Sequence, residues 1–224
     1  MNSTSHFDWT YLLSAAPALL VGLRMTIVVA GSCILCSLVL GYIGSAVLYF
    51  EVPYVRRVVR AYIALIRNTP LLVQIFFFYF GLPELGVRVD ATLSGILVLS
   101  VWGGAYQIEN LRGALLNLPR ALIEGARSLG IHPLRIYLFV MLPLATRTVV
   151  PALMNTSVSI TKNSALLTAI GVPELTYVAM DNIASSYRSL ENFFALFVGY
   201  LVIVLCMSVF ANLVEHHLGR GFGK

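Results

Sequence analysis

The chain has 224 residues, 58% of them hydrophobic and 11% charged, with a mean hydropathy of +0.85. A water-soluble domain carries roughly 45–50% apolar and about 25% charged residues. This inventory cannot build a soluble surface, and disorder, whose signature is low hydrophobicity, is excluded as well. The net charge of +5 does not describe a nucleic-acid surface: only 15 Lys and Arg are present, and long uncharged segments separate them. That scatter is the charge bias of a polytopic membrane protein. The three cysteines, an odd number, give no disulfide framework. Cys33 and Cys36 have C-x-x-C spacing, but inside an uncharged stretch they read as small apolar filler.

Residues 1–20 lack a basic start and a small-residue cleavage site, so no secretory leader is read. Trp9 and Tyr11 suit a headgroup belt and Pro17 should break the run, which predicts an extracytoplasmic, interfacial segment over 1–20. Residues 21–215 then form one transmembrane domain. Apolar runs long enough to cross a bilayer place spans at about 23–49, 61–82, 91–110, 148–171 and 192–214. The second is interrupted early by Arg67-Asn68-Thr69-Pro70, and the fourth contains Pro151, Asn155, Lys162 and Asn163. A polar loop is expected over 111–147 and a tail over 216–224.

Arginines orient these five helices. One set of connections holds Arg56, Arg57, Arg60, Arg112, Arg120, Arg127, Arg135, Arg147, Arg220 and Lys224. The other holds Arg88 and Arg188, with Arg24 near its membrane edge, against Asp8, Glu84, Asp90, Glu174, Asp181 and Glu191. The positive-inside rule puts the first set in the cytoplasm, hence the N-terminus outside and the C-terminus inside. The fold class is an all-α polytopic membrane protein of about five transmembrane helices.

The most informative stretch is LPRALIEGARSLGIHPLRIYLFVMLPL, residues 118–144. Residues 121–129 are good helix formers, and Gly130 stands where a left-handed C-terminal cap is wanted. His132-Pro133 restarts a helix with proline at its first position. Pro143 marks a further break. A short amphipathic helix ending in a sharp turn suits a knob pressed into a partner's groove.

Glu124-Gly125-Ala126, then Leu129-Gly130, then Leu142-Pro143 resembles the EAA…G…I-LP loop of ABC-importer permeases, with Gly125 where a second alanine is usual and Val140 where isoleucine is usual. Arg67-Asn68-Thr69-Pro70-Leu71-Leu72-Val73-Gln74 resembles the R-G-T-P-L-L-V-Q signature of their polar amino-acid subfamily, with Asn68 in place of the glycine. So does Thr161-Lys162-Asn163-Ser164-Ala165-Leu166, followed by Ile170-Gly171-Val172-Pro173-Glu174-Leu175.

The resemblance implies a type I ABC importer-like permease subunit of the bacterial cytoplasmic (inner) membrane. It implies partnership with two cytoplasmic ATP-binding subunits, a second permease subunit (homo- or heterodimer) and an extracytoplasmic solute-binding protein. It makes Glu124, Gly125, Ala126, Leu129, Gly130, Leu142 and Pro143 the ATPase-coupling residues. No G-x-x-x-x-G-K-[ST] occurs and the only lysines are Lys162 and Lys224, so the chain should bind no cofactor itself, with ATP and Mg²⁺ at the partner.

Lys162 is costly within a span, about 2.5–3.5 kcal/mol at the centre, so it either snorkels to an interface or faces a cavity. With Asn155, Asn163 and Gln74 it is a candidate for the translocation path; Gln74 could equally bond a neighbouring helix. Arg67 reads as an interfacial anchor or as a contact that changes between states. The aromatic run at Phe76 to Phe80 reads as lipid-facing and packing surface. His216-His217 lacks the spacing of a metal site. No nucleophile–base set suggests catalysis. The alternatives are a secondary transporter or channel, disfavoured by the lack of internal repeats, a membrane-embedded enzyme, and an ABC permease for methionine or another small solute.

Overall fold

The computed structural model describes residues 7–219, with side chains described for residues 7–215. Its elements are α1 (Trp9–Tyr49), α2 (Val55–Arg67), α3 (Leu71–Phe76), α4 (Leu82–Glu84), α5 (Ala91–Leu116), α6 (Arg120–Ser128), α7 (Pro133–Ile136), α8 (Leu142–Asn163), α9 (Leu175–Ser186) and α10 (Ser189–Gly219). No strand occurs among the described residues. Among them, four helical runs are long and apolar enough to cross a membrane: Trp9–Tyr49, Ala91–Leu116, Pro133–Ile170 and Ser189–Glu215. Val55–Arg67 and Leu71–Glu84, interrupted by Asn68, Thr69 and Pro70, make a fifth if counted together.

Helices cross three of the positions marked in the sequence reading. Pro17 does not break the run: α1 begins at Trp9 and continues through it. A transmembrane helix tolerates proline because local adjustment re-satisfies the freed carbonyl. Within the stretch expected as a loop over 111–147, α5 continues to Leu116, and α6 and α7 stand where the sequence reading expects a helix, a glycine turn and a second helix. The last helix extends beyond the expected tail boundary to Gly219, while the charged end, residues 220–224, lies outside the described residues.

Pro143 does not break the helix either. Tyr137–Met141 is a π-helical segment, and Leu142-Pro143 opens α8 directly after it. The same arrangement occurs earlier: the π segment Phe77–Gly81 leads into Leu82-Pro83 of α4. Proline offers no N–H and crowds the carbonyl four residues back. A π turn shifts the hydrogen-bond register by one and lets the chain stay helical past it.

The chain divides into two compact units. The first comprises Met1–Cys33, Leu71–Leu99 and Ser159–Cys206; the second comprises Ile34–Pro70, Ser100–Val158 and Met207–Lys224.

In the first unit, Asp8 caps α1, its Oδ1 accepting from the N–H groups of Thr10 and Tyr11 at 3.0 and 3.1 Å. The Thr10 hydroxyl foremost, with the Tyr11 N–H and Arg188, holds this carboxyl below the usual carboxylate range. Asp90 caps α5 in the same way, accepting from Leu93 N–H at 2.7 Å. Leu19, Leu175 and Ala179 form the core between α1, α9 and α10. Gly22 allows the backbone at Leu175 to approach: a Cβ there would stand 3.0 Å from Leu175 Cα.

In the second unit, Leu111, Val149 and Leu153 pack α5 on α8. A polar ladder runs beside them. Buried Gln107 donates to the Leu153 carbonyl at 3.2 Å, and Asn110 donates to Thr156 Oγ1 at 3.0 Å. Such interhelical bonds are worth about 0.6 kcal/mol each in lipid, so the ladder fixes register more than it adds stability. At the end of α2, Arg67 lies 4.0 Å from Glu109 and 5.1 Å above the Tyr106 ring, while Arg112 grips the same carboxylate at 2.7 Å.

Candidate functional site

The segment that the resemblance makes the coupling loop belongs to the second unit. Leu118 is buried, and Pro119, with φ −59 and ψ 124, turns the chain into α6. Only one side of this short helix packs against the rest of the unit. Ile123 and Ala126 rest on a core of Leu115, Leu118, Ile136, Tyr137, Met141 and Ala145. That core is braced by Tyr49, whose ring stacks on Tyr137 at 5.0 Å.

The end of α6 is a Schellman motif. Gly130 adopts φ +73, its N–H donates to the Arg127 carbonyl at 2.9 Å, and Ile131 N–H reaches back to the Ala126 carbonyl at 3.3 Å. Two orphan carbonyls are thereby satisfied and the chain reverses within two residues. His132 then caps α7, its Nδ1 accepting from Leu134 N–H at 3.3 Å, with Pro133 in the first turn.

The result is a small rigid projection with a bare outer face. Glu124 and Gly125 are exposed, a Cβ on Gly125 would meet nothing within 4 Å, and Leu129 is 80% exposed at the tip. The tip is an exposed apolar side chain with the charged Glu124 and Arg127 nearby on a short helix. Leu142 and Pro143 lie behind it, where Leu142 packs on the same core and Pro143 is exposed at the start of α8.

The structure does not gather the four path candidates. Gln74, Lys162 and Asn163 lie in the first unit and Asn155 in the second. Gln74 is buried in α3, which packs on the 3₁₀ turn Ser164–Ile170. Asn163 is half-buried and Asn155 exposed. Lys162, exposed in the last turn of α8, sits at a cavity of about 430 Å³ whose other walls include Ala165, Phe193, Phe197, Tyr200 and Leu201. No other described residue lining that cavity carries a charge.

The sequence reading places Glu174 among the loop acids, but it is fully buried. It caps α9, accepting from Tyr177 N–H at 2.8 Å, and its other oxygen accepts from Tyr200 Oη at 2.8 Å and Thr26 Oγ1 at 3.4 Å. Leu175 N–H in turn donates to Thr26 Oγ1 at 3.0 Å. Burial pushes this carboxyl above the usual range, in spite of those donors. A glutamate after Gly-Val-Pro, just before a helical run, is the sequence signal that could have marked it as a cap.

The described residues make an all-helical, multi-pass membrane chain of four or five apolar spans with one exposed helical projection. Residues 34–224 match the family described as the binding-protein-dependent transport system inner membrane component, and the chain belongs to that family. It is 32% identical over 219 residues to the probable amino-acid ABC transporter permease protein PatM of Vibrio harveyi, covering 96% of this chain and 98% of that one. It is also 32% identical over 214 residues to the glutamine transport system permease protein GlnP of Escherichia coli (strain K12), covering 95% and 98%. A solved chain from the crystal structure of an amino acid ABC transporter with histidines superposes with a TM-score of 0.87 at 28% identity, covering 95% of this chain and 99% of that one.

The protein is thus a multi-pass ABC-importer permease of the inner membrane. It is not itself an enzyme: ATP is hydrolysed by a partner subunit, and a binding protein completes the system.

Proposed function

We propose that this permease moves a polar amino acid into the cell by alternating access, worked through α6 by two ATP-binding subunits. The names of its relatives PatM and GlnP and of its structural neighbour support the amino-acid class. A methionine importer, MetNI, has the same fold at 21% identity, which carries the fold alone.

The observation that carries the mechanism is the projection. Ile123 and Ala126 anchor it to the packing of α5 and α8, while Leu129 stands bare. A force applied by a closing ATPase at Glu124, Gly125, Ala126, Leu129 and Gly130 is passed to those spans at Leu142 and Pro143. The energy comes from the differential affinity of the ATPase for the two states. On this reading the N-terminus is outside and the C-terminus inside, as the arginines require. A second permease subunit, a copy of this chain or a sister, completes the pathway. Lys162, at the α10 cavity, would face it, with Asn163 next to it in sequence, Asn155 earlier on α8 and Gln74 on α3 as the further candidates.

The test uses the reconstituted complex with its ATPase and binding protein. Glu124→Lys and Gly130→Pro should leave the subunit inserted, while substrate-stimulated ATPase activity falls at least about ten-fold, the loss of roughly 1.4 kcal/mol of coupling. A Leu129→Cys variant should crosslink to the ATPase. Normal stimulation in both coupling variants, or reaction of the introduced thiol with an impermeant reagent added only outside, removes the proposal. Lys162→Ala tests the path separately: uptake at the wild-type rate with normal expression would take Lys162 out of it.

A further inference from the structure

Helix α2 presents an unusual outer face. Its buried residues are Ile63 and Ile66. The opposite side exposes Tyr54 at 79%, Val58 at 68% and Leu65 at 65%, with Ala61 between them. Arginines stand beside this apolar stripe. Arg56 is paired with Glu51 at 2.8 Å, but Arg57 and Arg60 have no carboxylate within ion-pair distance among the described residues. Three residues apart, they project on one side of the helix. Arg57 is held over the Tyr54 ring, 5.9 Å from its centroid.

Tyr54 is a second, independent sign. It precedes the helix with φ +63 and ψ −50 and makes no side-chain capping bond. A tyrosine held in a region that favours glycine is strained, and such strain marks sites whose geometry matters beyond packing. Here it turns a large amphipathic ring outward beside two cations that lack carboxylate partners. Soluble groove partners bury apolar stripes, and aqueous anions bind charges; a surface needing both at once matches the headgroup layer. There, tyrosine and arginine sit at phosphate depth and aliphatic side chains reach the acyl boundary.

We propose that Tyr54, Arg57, Val58, Arg60, Ala61 and Leu65 form a binding surface for an anionic phospholipid. Arg57 and Arg60 share its phosphate oxygens, and Val58, Ala61 and Leu65 receive the upper part of its chains. The inference needs the membrane, not the substrate or the coupling mechanism, so it stands or falls apart from them.

The experiment places the complete transporter in phosphatidylcholine vesicles with increasing phosphatidylglycerol. Native protein should retain phosphatidylglycerol through purification, and its ATPase activity should rise as that lipid is added. Arg57→Gln/Arg60→Gln should keep the activity seen in pure phosphatidylcholine and lose the rise, with retained phosphatidylglycerol falling roughly five-fold per arginine. Arg57→Lys/Arg60→Lys should keep most of it, and Arg88→Gln, the same charge lost elsewhere, should change nothing.

Inorganic phosphate in phosphatidylcholine vesicles should not substitute. If it restores the rise, the site takes a free anion and the proposal is wrong. A fluorophore on Val58→Cys, in a Cys36→Ser/Cys206→Ser background, should be quenched by brominated phosphatidylglycerol more than by brominated phosphatidylcholine. Equal quenching, no quenching because a partner subunit covers the face, or an unchanged lipid response in the glutamine variant would each overturn it.

Discussion

Two turns in this protein share one backbone device and differ in everything around it. Gly130 and Gly171 both end a helix in a Schellman motif, with φ +73 and +81. At the second, Gly171 N–H donates to the Thr168 carbonyl at 3.1 Å and Val172 N–H to the Leu167 carbonyl at 3.3 Å. After Gly171 the chain goes inward: Val172 and Leu167 are both fully buried, and Glu174 knots α1, α9 and α10 together. After Gly130 the chain stays outside, with Leu129 and Ile131 exposed. The same motif thus closes a buried joint in one unit and an exposed projection, the proposed lever, in the other. Its side chains, not its backbone, decide which.

Substitution at the joint should therefore cost stability, and substitution at the lever function. The largest effect is expected at Glu174. Glu174→Ala removes the acceptor of the Tyr177 N–H and of Tyr200 Oη, leaving Tyr200 only its bond to Thr176 Oγ1 at 3.1 Å, at about 1–3 kcal/mol for a buried group left without its partner. The purified complex should show a thermal midpoint many degrees lower, or fail to assemble. A midpoint within about 2 °C of native, a shift of about 1 kcal/mol or less, would mean that the joint is not holding.

Glu174→Gln sharpens this through pH. The native carboxyl titrates above its ordinary value of 4.5 because of burial. Its protonated form is the one the fold prefers. The stability that Glu174 adds is then complete below its ordinary value and is lost as pH rises through the raised native one. The midpoint of the native complex minus that of the glutamine variant should fall as pH is raised from the ordinary value of 4.5. A flat or rising difference contradicts the burial.

Next come the glycines themselves. Alanine at Gly130 or at Gly171 meets no steric neighbour but must adopt a left-handed φ, at about 1–2 kcal/mol in either place. Similar midpoint losses with unequal ATPase stimulation, Gly130→Ala being the poorer, would separate lever from joint. Equal ATPase losses would erase the distinction.

Smaller again is Glu109→Gln, which frees Arg112 and Arg67 at a half-exposed site and should cost under about 1 kcal/mol, read as a midpoint shift. Least of all is Leu129→Ala. At 80% exposure it should move the midpoint by less than about 0.5 kcal/mol in equivalent stability, yet reduce ATPase stimulation.

How far the sequence can be read follows the same division. Local signals are legible. Gly130 after a run of helix formers and Pro133 after His132 specify a turn whatever surrounds them, and α6 ends as that pattern requires. Apolar run length locates the spans for the same reason. What escapes depends on residues far apart in the chain. Glu174 is buried by Thr26, 148 positions earlier, and by Tyr200, 26 positions later. Nothing near Glu174 announces either. Pro17 and Pro143 mislead because the aqueous rule for proline does not hold here: a long apolar helix absorbs the first and a preceding π turn the second. Gln74 and Asn155 share only a carboxamide side chain, and the fold assigns them to different units.

The π turns have a consequence for how such a chain tolerates length change. Each amounts to an α-helix holding one surplus residue, and both precede Leu-Pro. Deleting a single residue from Tyr137–Met141 would remove the surplus and restore ordinary winding while leaving the downstream faces of the span nearly in phase. The same deletion further along α8, in ordinary α winding, would rotate every later side chain by about 100°, carrying Lys162 out of its cavity and turning aside the face that α8 offers to α5. A one-residue excision should therefore be better tolerated within the π turn than in the middle of α8.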